Sequence, residues 1–149
     1  MRAGTENVPA IVGFGVAADQ ARLLMSDTDQ TCRANVGLLT DLLRGALPGL
    51  QVLSSDAGLP NTLLIRIPDT EAEQVLAHCP GVAASTGSAC ATLSPEPSHV
   101  LLALYGDADF ARECLRLSVS RYTTTDEITA AASQLTAAAL RVQTLRASA

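Results

Sequence analysis

The sequence contains no lysine: its ten basic residues are all arginine. That absence removes any chemistry that needs a side-chain amine from this chain, an internal Schiff base above all. Tryptophan is missing too, and aromatic residues make up only 3%. A core must therefore be built from Ala, Leu, Val and Ile, which the 48% apolar content allows. Basic charge is scarce, and the net charge of -5 argues against a nucleic-acid footprint. No apolar run reaches the length that spans a bilayer. Met1-Arg2 leads straight to Gly4-Thr5-Glu6-Asn7, without the apolar stretch of a signal peptide. The expectation is a cytoplasmic protein with neither a membrane nor a nucleic-acid partner, in one domain over its 149 residues.

What is present begins with four cysteines, Cys32, Cys79, Cys90 and Cys114, at irregular spacings and without a C-x-x-C pair. Zinc and redox motifs are unsupported, and a reducing cytosol disfavours disulfides. Cys90 stands in Ser85-Thr-Gly-Ser-Ala-Cys-Ala-Thr-Leu-Ser-Pro95, whose small polar residues, Gly and Pro have the composition of a mobile loop. A thiol there can move and react; the plain alternative is a loop residue with an ordinary thiol pKa near ~8.5. Cys32, Cys79 and Cys114 fall within or beside periodic segments and read as buried, inert thiols. His78 reads as helix-end decoration and His99 as support for the Cys90 loop; the two do not make a metal site. Gly13-x-Gly15 lies inside a helical pattern and lacks the third glycine of a dinucleotide fingerprint.

The apolar spacing predicts a helix after an Asn7 N-cap with Pro9 in its first turn, and a second over about Thr28–Leu47 carrying Val36, Leu39, Leu43 and Leu47. Strands are predicted at Leu50–Ser54, Thr62–Ile67, Gly81–Ser85 and Leu115–Val119. Further helices are expected over Glu71–His78, from Glu96 to Tyr105, and as a turn within Asp107–Glu113. Thr124 with Glu127 is a capping box opening a last helix with Ile128, Leu135 and Val142 one heptad apart. The fold class that follows is α+β, a small antiparallel sheet with helices packed on one side.

Five stretches occur in order: Arg2-Ala-Gly-Thr-Glu-Asn-Val-Pro9, Leu59-Pro-Asn-Thr62, Ser85-Thr-Gly-Ser-Ala-Cys90, Glu96-Pro-Ser-His99 and Leu115-Arg-Leu-Ser118. Together they resemble the C-terminal part of a cysteine desulfurase of the class-V aminotransferase family, over essentially the whole chain. Such enzymes use pyridoxal phosphate to labilise the carbon–sulfur bond of L-cysteine, and a loop cysteine leaves with the sulfur as a persulfide. The resemblance implies that Cys90 is that nucleophile and that the long loop after it can carry sulfur to acceptors such as iron–sulfur or tRNA-thiolation proteins. It implies that Arg116 grips the substrate carboxylate and that Thr5 reaches the cofactor phosphate across a dimer interface. Arg121 matches a further arginine of the pattern and reads as structural. Thr86 replaces the Ser that the family commonly has. The cofactor lysine, its neighbouring histidine and the Asp partner of the pyridine nitrogen fall upstream of the R-x-G-T element, so the chain resembles a connecting helix (1–26) followed by the small domain (27–149). The expectation is a catalytic half that needs a large lysine-bearing domain or chain, as a homo- or hetero-dimer, with no cofactor held covalently. The alternatives are a non-enzymatic persulfide carrier or binding module, or a decayed remnant.

Overall fold

The computed structural model describes residues 4–86 and 97–148. Helix α1 (Val8–Leu23) starts where its signals place it: the Asn7 side chain accepts from the Ala10 N–H at 3.2 Å, and Pro9 falls in the first turn. Helix α2 (Met25–Ala46) follows after Leu24 alone, with the axes bent by 64°. It begins before the expected Thr28 because Leu24 lets the backbone continue without a side-chain cap, the Thr28 N–H bonding the Leu24 carbonyl. The stripe on α2 buries Cys32, Asn35, Leu39 and Leu43, with Leu47 just beyond the helix.

Strands β1 (Gln51–Val52), β2 (Thr62–Arg66) and β3 (Cys114–Ser118) form one antiparallel sheet in the order β1-β2-β3. Register pairs Leu63 with Leu117, Leu64 with Arg116 and Ile65 with Leu115. Strand β1 is shorter than the expected Leu50–Ser54. The Leu53 N–H still reaches the Leu64 carbonyl, but at the next residue the Ser54 hydroxyl, not its main chain, accepts from the Leu64 N–H at 2.6 Å. The expected strand over Gly81–Ser85 is a single bridge, Ser85 to Arg116. The Val82 N–H turns back to the Cys79 carbonyl, so the segment leaves the strand direction before Ser85.

Period-2 alternation then sorts the sheet faces. Leu63, Ile65, Leu115 and Leu117 point into the main core, where α2, α3 (Ala72–Ala77) and α6 (Thr125–Ala147) meet them. Helix α6 is opened by the Thr124/Glu127 capping box and buries Ile128, Leu135 and Val142 with Ala132, Ala138 and Ala139. Those alanines lack bulk, and this lets α6 lie close against α2. The long helices thus cover one face, as the fold class requires. A smaller pair, α4 (His99–Tyr105) and α5 (Ala108–Arg112), caps one end of the opposite face through Leu101, Ala111 and Cys114.

Helix α1 stands apart. None of its residues is buried, and Ile11, Val12 and Phe14 are 57, 60 and 78% exposed. From Val8 to Ala18 it carries no charge on any side, a pattern that belongs to a helix surrounded by apolar partners.

Candidate functional site at Arg116 and the Ser85 bridge

Arg116 is the third residue of β3, and alternation turns it away from the main core. On one side it faces Leu64 of β2; on the other its backbone exchanges two hydrogen bonds with Ser85. The Arg116 N–H donates to the Ser85 carbonyl at 2.7 Å and the Ser85 N–H donates to the Arg116 carbonyl at 3.1 Å. Such a closely spaced pair is the ladder unit of antiparallel strands. Its consequence is topological: the segment entering Ser85-Thr86 is rooted beside Arg116. The Arg116 side chain is exposed, and among the described residues no carboxylate pairs with it. A guanidinium in that state keeps its planar fork for an incoming carboxylate.

Cys90 lies outside the described residues. Thr5 is exposed, two residues before the Asn7 cap of α1. It precedes the helix that buries nothing, and no hydrogen bond or ion pair of the described residues joins it to Arg116. His99 opens α4 and is exposed; the segment it was expected to support lies outside the description. His78 does sit at a helix end, its Nδ1 2.9 Å from the Gln74 carbonyl oxygen. Arg121 is held locally: its Nη2 donates to the Tyr122 hydroxyl at 2.6 Å and its guanidinium lies 4.7 Å from the ring centroid.

The other thiols are sealed, as their surroundings in the sequence indicate. Cys32, Cys79 and Cys114 are 1, 1 and 0% exposed. Burial pushes the Cys114 thiol up to about 11, with Glu113 adding to the rise and Arg66 opposing it. Burial also raises Cys79, against a hydrogen bond to Val82. Such thiols stay protonated at neutral pH and are poor nucleophiles.

One cluster near the site escaped the sequence reading. Arg66 donates to Glu113 at 2.6 Å, the other Glu113 oxygen accepts from the Asp69 N–H at 2.9 Å, and the guanidinium lies 4.4 Å from the Phe110 ring centroid. These contacts lock the entry to β3. Arg66 and Glu113 are 47 residues apart, and only the strand register reveals them as neighbours.

Pyridoxal phosphate does not fit these residues by themselves. The chain has no lysine side-chain amine to hold it, the Thr5 hydroxyl is exposed rather than set in a pocket, and no buried side-chain polar atom among the described residues lacks a partner. Among the described residues no cluster of His, Cys, Asp or Glu could hold a metal ion.

Comparison with known proteins agrees with the geometry. The aminotransferase class-V family matches residues 1–130. A cysteine desulfurase of Frankia sp. (strain EuIK1) is 47% identical over 148 residues, which are 97% of this chain and 35% of that protein. The cysteine desulfurase NifS of Azotobacter vinelandii is 40% identical over 130 residues, 85% of this chain and 32% of that protein. Among solved structures, a NifS-like protein from Rickettsia africae ESF-5 superposes with a TM-score of 0.77 at 29% identity, covering 92% of this chain and 36% of the other. The chain thus spans about a third of the length of the relatives it matches. With its motifs, its sheet and these relatives in agreement, the chain belongs to the aminotransferase class-V family, and its relatives there are cysteine desulfurases.

Proposed function

We propose that these residues are the sulfur-accepting part of a cysteine desulfurase acting on L-cysteine. The observation that carries the reading is the Ser85–Arg116 bridge. Cys90 follows Thr86 by four residues, and four residues of fully extended chain reach no more than about 14 Å. Covalent connection therefore bounds the Cys90 backbone to within about 14 Å of Thr86, and Thr86 follows the residue bridged to Arg116, where a substrate carboxylate would be held. In the proposed step the Cys90 thiolate attacks the substrate sulfur. A sulfur–sulfur bond forms and the carbon–sulfur bond breaks. The electron pair goes to carbon, which takes a proton to give alanine, and Cys90 keeps the sulfur as a persulfide for an acceptor protein. Arg116 orients the substrate by its carboxylate. Labilising the carbon–sulfur bond is the task of residues outside these 149, because the chain supplies no lysine.

The uncharged, exposed Val8–Ala18 stretch of α1 supports a large lysine-bearing partner domain or chain, and a dimer or hetero-complex as the working form. Thr5, at the start of that helix, is the proposed phosphate contact in the assembled site.

The test is a chimera in which residues 1–149 replace the matching third of the Frankia desulfurase. It is expected to release alanine from L-cysteine and to form a persulfide that maps to Cys90, with Cys90→Ser abolishing the persulfide. A folded, cofactor-loaded chimera whose turnover is indifferent to Cys90→Ser would overturn the reading.

A further inference from the structure

Helix α4 is lightly held on the sheet. It has seven residues, and Leu101 alone of them is buried. Val100 and Leu104 are 53 and 68% exposed. Its Ser98 N-cap makes no side-chain capping bond, and it has neither acidic residues in its first turn nor basic ones in its last. A helix this short does not persist without its packing.

Its C-terminal boundary is a ready pivot. Gly106 adopts a left-handed φ of 68°, a conformation that glycine enters without strain. Beyond it the chain is fixed. The Asp107 side chain accepts from the Asp109 and Phe110 N–H groups, and Phe110 lies under Arg66, itself bonded to Glu113. The small cluster of Leu101, Ala111 and Cys114 is separate from the main core on the other face.

We propose that α4 is a separately opening cover, swinging off the sheet about Gly106 while α5, the sheet and the main core stay folded. The ring stack of Tyr105 on Phe110, with centroids 4.4 Å apart, is the latch between the mobile and fixed sides. Cys114 and Arg116 lie on the same face, two residues apart along β3, about 7 Å. Opening uncovers Cys114, two residues from the Arg116 of the reading given above.

Native-state hydrogen exchange of the 149-residue chain tests the motion itself, whatever the chain catalyses. The amides of Leu102–Gly106 are expected to exchange at least about tenfold faster than those of Leu135–Val142, with a shallower dependence on denaturant. Phe110–Arg112 are expected to remain slow beside α4. In Leu101→Ala, alkylation of Cys114 is expected to rise about tenfold while Cys79 is unchanged. Exchange in α4 with the rate and denaturant slope of α6 overturns the proposal. So does a rise of Cys79 in step with Cys114, or no rise at Cys114. The wild-type exchange comparison decides the matter even if Leu101→Ala does not fold.

Discussion

At the scale of single residues, two side chains carry predictions that do not depend on each other. In the proposed site Arg116 would present a fork to a carboxylate, and lysine would offer a single point of charge in its place. A charge-assisted hydrogen bond contributes about 1.5–3 kcal/mol, so Arg116→Lys in the chimera is expected to lower kcat/KM for L-cysteine by roughly ten- to a hundredfold. Steady-state kinetics with an unchanged melting temperature would confirm it. An unchanged kcat/KM would reduce Arg116 to a strand residue. The second is Glu127, whose carboxyl is held below its ordinary value first by the Thr124 N–H and then by the Thr124 hydroxyl. A carboxyl depressed in the fold stabilises it above the unfolded value of 4.5 and stops doing so as pH falls through the lower folded value. The melting temperature of Glu127→Gln is therefore expected to lie below wild type at neutral pH and to converge with it in acid. A gap that persists at low pH would mean the capping box acts without its charge.

At the scale of elements, α1 and α6 make an instructive pair. Both are rich in alanine and small apolar residues, yet α6 buries six side chains and α1 none. Replacing Ile11 and Phe14 with Asp is expected to abolish apolar-dye binding and self-association while leaving the melting of the core unchanged, as light scattering and calorimetry would show. A fall in melting temperature of several degrees would mean that α1 is part of the core after all. What was legible in the sequence follows the same division. Asn7, Thr124 and Glu127 marked their helices because caps are local chemistry, and the strands expected at Thr62–Ile67 and Leu115–Val119 fall within one residue of β2 and β3. The Ser85 bridge was overread as a full strand: composition cannot show that the Val82 N–H turns back to Cys79. The Arg66–Glu113–Phe110 lock was invisible for a different reason, since its members meet only once β2 and β3 are in register.

At the scale of the whole molecule, the motifs and the family agree, whereas the proposed role of the cofactor needs a lysine that these residues do not include. Ten arginines and no lysine mean that the chain purified alone is expected to carry no imine absorbance and, given pyridoxal phosphate and L-cysteine, to release no alanine beyond a protein-free control. A coloured, active preparation of the chain alone would refute the assignment of carbon–sulfur labilisation to residues outside it. The molecule's own contribution, as proposed, is then one reactive sulfur among four. Three are closed off: Cys32, Cys79 and Cys114 are buried, and the last two are pushed toward the protonated thiol. Competitive alkylation of the folded chain near neutral pH, read by peptide mass spectrometry, compares all four in one experiment. Cys90 is expected to react at least about tenfold faster than each of the others; labelling of Cys90 no faster than Cys32, Cys79 or Cys114 would contradict its role as the sulfur acceptor.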